Sequence, residues 1–260
     1  MAYIYAFANQ KGGVGKTTSV VNIAAYLAES GMRVLVIDLD PQANATSALG
    51  FEKGGDAPTT YDLLLERAEV ATIIQHSEES KVDILPSSPM LSGAEVELVN
   101  QVAREYRLQR NLETIENNYD YIIIDCPPSL GLLTLNALTA ARNGVIIPVQ
   151  CEYLALEGLT QLLHTIELVR THLNRRLKIR GIILTMYDGR TNLSRQVVNE
   201  IREHFGEQVF RAIVPRNVRL GEAPSYGQPI NLYSPDSTGA YGYKVLAAEL
   251  LQGDRTKNRR

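Results

Sequence analysis

The sequence has only two cysteines, no tryptophan and no long uninterrupted hydrophobic run. Two thiols, Cys126 and Cys151, are too few for a metal cluster, and each follows an apolar strand-like run where a thiol is usually buried and unreactive. No window approaches the ~18 apolar residues that a membrane-spanning helix needs, and the N-terminus lacks the basic-then-apolar pattern of a secretion signal. We therefore expect a cytoplasmic protein that does not associate with a membrane.

The chain also has little net charge, but that charge is unevenly distributed. It carries 26 Lys and Arg against 29 Asp and Glu, a formal charge of −3, which argues against constitutive binding to nucleic acid. Residues 175–219 nevertheless contain ten basic and four acidic side chains, which leaves −9 for the remainder of the chain. A solvated helix surface and a partner-binding face explain this asymmetry about equally well.

The composition, with 45% hydrophobic and 21% charged residues, is that of an ordinary globular protein. Apolar runs alternate with helix-period segments, and most runs are continuous, as in strands covered on both faces. This pattern predicts an α/β fold, a doubly wound, mostly parallel sheet with helices on both faces. Strands are predicted at residues 4–8, 34–37, 82–85, 121–124, 144–149, 181–184 and 209–214. Helices are predicted at residues 17–30, 61–67, 91–117, 132–142, 156–173, 193–205 and 237–251. We expect one domain over residues 1–252 and a polar, basic C-terminal tail over residues 253–260.

A glycine-rich segment lies between the first predicted strand and the first predicted helix. Backbone amides in such a loop can surround phosphate oxygens, and the helix N-terminus adds its positive end. Lys16 would add a charge at the β and γ phosphates, and the Thr17 hydroxyl would ligate Mg²⁺. The usual pattern has glycine where this chain has Gln10. The candidate nucleotide-binding residues here are Lys11, Gly12, Gly13, Val14, Gly15, Lys16, Thr17 and Thr18.

Three aspartates follow buried strands. Asp38 and Asp40 come at the end of the second predicted strand, and Asp125 closes the strand at residues 121–124. Ligands collect at the carboxyl edge of open α/β sheets, so one carboxylate can support a metal ion and another can orient water. The competing interpretation for Asp38 and Asp40 is capping of the next helix.

Residues 11–17, Lys-Gly-Gly-Val-Gly-Lys-Thr, resemble the deviant Walker A box of the ParA/MinD family, in which an extra lysine precedes the glycines. Residues 34–46 and 122–128 resemble that family's other two motifs. From about residue 2 to 251 the chain is similar to the short, single-domain ParA/Soj partition ATPases. The resemblance implies a P-loop NTPase-like fold, ATP and Mg²⁺ as cofactors, and an Mg-dependent ATP hydrolase that is slow without its partner.

The resemblance also implies roles for individual residues. Lys11 would reach across an ATP-sandwiched homodimer to the partner's phosphates, as an arginine finger does. Asp40 would position the attacking water, Asp38 would lie near Mg²⁺, and Asp125 would hold Mg²⁺ through water. A lysine that is merely solvated is the alternative for Lys11. Glu152 matches a family glutamate that contacts the partner's ribose, although a glutamate at a strand end is usually just exposed.

The base and the partners are predicted in the same way. Residues 185–188 have the spacing of a guanine-reading motif, but Met186 replaces its lysine, which favours adenine. Met186, Pro215 and Asn217 are candidate adenine contacts, with core packing the alternative for Met186. Arg190 and Arg219 match family arginines that contact double-stranded DNA without sequence preference. A ParB/Spo0J-like centromere-binding protein would stimulate hydrolysis, which implies a nucleoid-associated protein of chromosome or plasmid partition. A MinD-like membrane-associated regulator is the alternative.

Overall fold

The structure, a computed structural model, describes residues 1–152 and 157–257 of the chain. Within these residues eight strands form one sheet in the order β3-β4-β2-β5-β1-β6-β7-β8. All neighbouring strands are parallel except β3 and β4. The strands are β1 Tyr3–Phe7, β2 Val34–Asp38, β3 Gln75–Ser77, β4 Val82–Leu85, β5 Tyr121–Asp125, β6 Gly144–Gln150, β7 Ile179–Tyr187 and β8 Val209–Pro215.

Twelve α-helices within the described ranges connect these strands, together with short 3₁₀ turns. They are α1 Lys16–Glu29, α2 Asn44–Ala48, α3 Thr60–Leu64, α4 Val70–Ile73, α5 Leu91–Glu97, α6 Arg107–Glu113, α7 Leu132–Ala140, α8 Glu157–His172, α9 Asn192–Phe205, α10 Arg219–Glu222, α11 Ile230–Tyr233 and α12 Thr238–Lys257. Across the part of the chain that the structure describes, no helix combines the length and hydropathy needed to cross a bilayer.

Both faces of the sheet are buried, which explains the continuous apolar runs. In β1, Ile4 and Ala6 join a core beneath α3 to α9, whereas Tyr5 and Phe7 join a second core beneath α1, α2, α11 and α12. Successive strand residues point to opposite faces, so a strand covered on both sides needs apolar residues at every position. The predicted doubly wound α/β fold with helices on both faces is confirmed.

The single helix predicted over residues 91–117 is wrong, because the chain forms α5 and α6 with an irregular segment between them. Ala103 in that segment has a φ of 53°, a left-handed conformation that interrupts a helix. The buried Asn136 of α7 donates to the carbonyl of Arg104 at 2.9 Å and accepts from the amide of Leu108 at 3.1 Å. It thereby caps the start of α6, and this contact across the fold outweighs local helix periodicity.

The end of the chain also differs from the prediction. Residues 253–257 were expected to begin a polar tail, but α12 continues through them to Lys257. Asp254 is 1% exposed and pairs with Arg180 at 3.0 Å, so a buried ion pair holds the last turns against the sheet. Sequence reasoning also missed β3 and the short helices α2, α4, α10 and α11. The predicted helix start at residue 156 lies outside the described residues.

Candidate nucleotide site

The loop between β1 and α1 is shaped to surround an anion. Gly13 and Gly15 have φ values of 73° and 84°, which only glycine adopts without strain. Gly15 is the N-cap of α1 and no side chain of the described residues caps that helix, so its first amides are open to phosphate oxygens. At Gly12, by contrast, a Cβ would meet nothing within 4 Å, so the described fold does not itself require glycine there.

Lys16 lies at the first turn of α1 and is 7% exposed. Its ammonium donates to the carbonyl of Lys11 at 3.3 Å. Burial lowers the pKa of Lys16, while the nearby Asp125 opposes that shift. A buried ammonium at the mouth of an anion-binding loop is suited to phosphate, because a bound phosphate would supply the missing negative charge.

Thr17 and Asp125 form the oxygen-rich side of the site. The Thr17 hydroxyl donates to Oδ2 of Asp125 at 2.7 Å. The other carboxylate oxygen, Oδ1, is buried and has no hydrogen-bond partner among the described residues. Burial, with the charge of Asp38, raises the pKa of Asp125 well above its usual range. A free carboxylate oxygen beside a threonine hydroxyl fits the hard oxygen ligands that Mg²⁺ prefers, so these residues fit the predicted metal site.

Asp38 is the register neighbour of Asp125 in the sheet and is also fully buried. Its Oδ2 accepts from the amide and the hydroxyl of Thr46, both at 2.8 Å, and its Oδ1 accepts from the amide of Asp40 at 3.1 Å. Burial raises its pKa to about 6, although these hydrogen bonds oppose the shift. Because both of its oxygens are engaged, Asp38 is better placed to support the metal shell than to ligate the ion.

Asp40 lies two residues beyond β2 and is 7% exposed. Its Oδ1 accepts from the amide of Gln42 at 2.9 Å, which closes a local turn and fixes the carboxylate. Its main-chain carbonyl accepts from the Ser87 hydroxyl at 2.8 Å. The second carboxylate oxygen accepts no hydrogen bond from the described residues, so it remains available to a water molecule.

A cavity of about 430 Å³ adjoins the loop, and it contains all three predicted adenine contacts. Met186 has a φ of 52°, an unusual conformation for a long side chain that tends to occur at functional sites. Both polar atoms of the Asn217 side chain form hydrogen bonds: Nδ2 donates to the Thr238 hydroxyl at 2.9 Å, and Oδ1 accepts from the amide of Arg219 at 2.8 Å. The cavity is lined by Gly15, Thr18, Met186, Val214, Pro215, Arg216, Asn217, Val218, Leu220, Gly221 and Tyr243.

Known proteins are similar to this chain in both sequence and architecture. Residues 2–179 match a family model described as an AAA domain. The chain is 56% identical over 250 residues to the sporulation initiation inhibitor protein Soj of Bacillus subtilis, covering 96% of this chain and 98% of that one. It is 53% identical over 257 residues to the chromosome partitioning protein ParA of Myxococcus xanthus, covering 99% and 90%. The chain belongs to the ParA/Soj family.

Solved structures agree with that membership. The cobyrinic acid a,c-diamide synthase of Mycobacterium smegmatis, with bound ATP analog and magnesium, superposes with a TM-score of 0.87 at 38% identity, covering 99% of this chain and 97% of that one. The cell division ATPase MinD of Pyrococcus furiosus superposes with a TM-score of 0.78 at 25% identity, covering 97% and 99%. The ParA/Soj fold of this chain is thus one that holds ATP analogs and magnesium in a similar protein.

Glu152 and Lys11 are the two predicted partner-facing groups of this ParA/Soj chain. Glu152, two residues beyond β6, accepts from Arg216 at 2.6 Å, and about half of each side chain is exposed. The pair lies beside the cavity that Arg216 helps to line. Lys11 has its amide held by Asn9 at 3.0 Å, but its ammonium forms no hydrogen bond or ion pair with the described residues.

The two arginines predicted to contact DNA are exposed but already paired with carboxylates. Arg190 forms a two-pronged contact with Asp188, at 2.9 and 2.7 Å, and its hydrogen bonds lower the pKa of Asp188 to about 2. Arg219 pairs with Glu222 at 2.8 Å. The basic face counted from the sequence is therefore partly neutralised within the folded chain.

Sequence reasoning missed three polar residues that shape the site. Asn9 joins the phosphate loop to β6, since its Nδ2 donates to the carbonyl of Pro148 at 2.7 Å. Thr46 binds Asp38, and Ser87 binds the main chain at Asp40. Asn9 lies two residues before Lys11, which is the spacing of a side-chain-to-backbone turn. Nothing near Ser87 in the sequence indicates its contact with Asp40.

Proposed function

We propose that this chain is an ATP-dependent DNA-partitioning ATPase, in which ATP drives a sandwich homodimer that binds DNA and hydrolysis resets it. The observation that carries the proposal is Lys11, whose ammonium has no partner among the described residues and whose backbone is held at the start of the phosphate loop. The chain also belongs to the same family as Soj and ParA proteins, which supports a role in partition.

ATP binding follows from the geometry of the loop and the cavity. The adenine would occupy the cavity beside Met186 and Pro215, and the loop amides and Lys16 would hold the β and γ phosphates. Thr17 and Asp125 would hold Mg²⁺, directly and through water, with Asp38 supporting that shell. When bound, the ion would neutralise part of the phosphate charge during transfer.

Dimerisation would complete the site. Lys11 would extend to the phosphates bound by the other protomer, where its charge stabilises the transition state. Glu152 would turn from Arg216 to the ribose across the interface. Asp40 would orient a water molecule through its free carboxylate oxygen, the water would attack the γ-phosphorus, and the bond from that phosphorus to ADP would break. The products would be ADP and inorganic phosphate, after which the dimer separates.

DNA binding would depend on the dimer, because a single copy of the basic face is weak. Arg190 and Arg219 would each exchange a carboxylate for a DNA phosphate, and two copies would give sequence-indifferent, salt-sensitive binding. A ParB/Spo0J-like centromere-binding protein would stimulate hydrolysis. The chain would then reside in the cytoplasm on the nucleoid.

The MinD-like alternative, an ATPase that binds a membrane surface, is disfavoured by α12. Such a protein needs an amphipathic helix whose apolar face is free to enter the lipid. Here the apolar residues Tyr243, Leu246 and Leu250 of α12 are at most 1% exposed and belong to the core. The apolar face that these three residues form is therefore packed against the sheet and is not free to enter lipid.

The proposal is tested with Lys11→Ala and, as a matched control, Lys178→Ala at an exposed lysine preceding β7. We expect Lys11→Ala to bind ATP with wild-type affinity but to remain monomeric and hydrolyse poorly, because its phosphate partner belongs to the other protomer. Light scattering with ATP, with ADP and without nucleotide gives the oligomeric state, and phosphate release gives the rate. A Lys11→Ala protein that dimerises and hydrolyses like the control would refute the trans role.

A further inference from the structure

A buried serine joins two loops at the carboxyl edge of the sheet. The Ser87 hydroxyl donates to the main-chain carbonyl of Asp40 at 2.8 Å, and the Ser87 amide donates to Oγ1 of Thr46 at 2.9 Å. That same Thr46 hydroxyl donates to the Asp38 carboxylate at 2.8 Å. Ser87, Thr46 and Asp38 are 0% exposed. One residue outside the nucleotide motifs thus contacts the loop at Asp40 directly and the Asp38 carboxylate through Thr46 of α2.

The sheet places Ser87 in this position. Strands β2 and β4 are parallel neighbours with Ile37 beside Leu85, so the residues that follow each strand emerge side by side. The loop after β2 is tight, since the Asp40 carbonyl also accepts from the amide of Ala43 at 2.8 Å. Ala43 has a φ of 50°, a conformation that costs a non-glycine residue energy and persists only when surrounding contacts impose it.

We propose that Ser87 is a positioning residue for ATP hydrolysis, acting through the main chain of Asp40 and through Thr46. This inference rests on the proposed function, in which the Asp40 carboxylate orients the attacking water. Loss of the serine hydroxyl leaves the turn at residues 40–43 without its contact from the segment that follows β4. The carboxylate then samples other orientations, and because orientation matters mainly in the transition state, hydrolysis slows while nucleotide binding is retained.

The test compares Ser87→Ala with Ser88→Ala. Ser88 is also buried, at 4% exposure, but among the described residues its hydroxyl forms a hydrogen bond only with the Thr59 hydroxyl, at 3.4 Å. We expect Ser87→Ala to lower kcat about tenfold, the size of one lost buried hydrogen bond, with the affinity for Mg-ATP unchanged. Ser88→Ala should keep the wild-type kcat. Equal kcat values for the two variants, or a loss of ATP affinity in Ser87→Ala, would overturn the inference.

A double variant shows whether Ser87 acts through Asp40. In an Asp40→Ala background, Ser87→Ala should produce no further decrease in the residual single-turnover rate, because the group it positions is gone. A further tenfold decrease would show that Ser87 acts elsewhere. If Asp40→Ala alone hydrolyses ATP normally, the proposed function fails at Asp40. If Asp40→Ala is slow but Ser87→Ala is not, only the role of Ser87 fails.

A second pair of variants covers the case in which Ser87→Ala does not fold. Thr46→Val removes the hydroxyl while keeping the shape of the side chain, and Thr46→Ser keeps the hydroxyl. We expect Thr46→Val to lower kcat and Thr46→Ser to restore it, with circular dichroism confirming that both are folded. Equal rates for the two Thr46 variants would contradict the inference that Ser87 acts through the Thr46 hydroxyl.

Discussion

Replacing Asp254 with alanine is expected to destabilise the whole domain, although the residue lies only six positions before residue 260. Its carboxylate accepts from Arg180 at 3.0 Å, from the Tyr5 hydroxyl at 2.8 Å and from the Tyr121 hydroxyl at 3.2 Å. These partners belong to three different strands, β7, β1 and β5. A single carboxylate therefore connects α12 to both the centre and one side of the sheet.

The size of the effect follows from burial. Asp254 is 1% exposed and the Arg180 side chain is 10% exposed, so removing the carboxylate leaves a guanidinium with little access to water. Removing one member of a buried ion pair costs about 3 to 5 kcal/mol of the free energy of unfolding. For a domain of this size, each kcal/mol lowers the melting temperature by about 2 to 4 °C. We therefore expect a decrease of about 6 to 20 °C.

The assay is thermal unfolding followed by circular dichroism at 222 nm, with Asp56→Ala as the control. Asp56 is an exposed residue in the loop before α3, so its removal should change the melting temperature by no more than about 2 °C. Truncation after residue 252 should reproduce the loss, whereas truncation after residue 257 should not. An Asp254→Ala melting temperature within 2 °C of wild type would refute the importance of this ion pair.

Three further predictions concern the site and the surface. Lys16→Ala should weaken binding of a fluorescent ATP analog about 100-fold, because the buried ammonium is the positive charge that the loop offers to the phosphates. Wild-type affinity in this variant would contradict the assignment of the phosphate loop. Asp188→Asn should raise the affinity of the ATP-bound protein for random duplex, because Arg190 then contacts a DNA phosphate without first leaving a carboxylate. An unchanged affinity, as expected for Asp56→Asn, would argue against it. Burial raises the pKa of Cys151 to about 12 and that of Cys126 further, so both should react with a thiol reagent at pH 8 only after unfolding.

The parts of the site that the sequence predicted are those built from short segments. The phosphate loop is contiguous, and its glycines and Lys16 must follow a strand and begin a helix in any fold that uses them. Asp38 and Asp125 were found because each closes a continuous apolar run, and parallel strands bring their carboxyl ends to one edge. Local spacing and strand direction were enough to bring these residues together.

The parts that the sequence did not predict depend on contacts between distant segments. Ser87 meets Asp40 because β4 pairs with β2, and strand order is not encoded in either segment. Asn136 of α7 caps the start of α6 from 28 residues away. Asp254 looked like the start of a polar tail, since a single acidic residue near a terminus is usually exposed. In each case a buried polar group was satisfied by a partner that only the fold supplies.

Charge counting shows the same limit where DNA binding is concerned. The excess of basic residues over positions 175–219 suggested a cationic face, but Arg190 and Arg219 each lie against a carboxylate close in sequence, two and three positions away. Both arginines are more than half exposed, so water and salt screen their ion pairs and a competing phosphate can replace the carboxylate at little cost. Each exchange also leaves an acidic group near the DNA, which opposes binding. Under the proposed function, a single protomer would therefore gain little from one arginine, and a dimer with two copies of each would gain enough only when both faces contact the same duplex. This arrangement would make DNA binding depend on the ATP state for a physical reason that the net charge of the chain does not reveal.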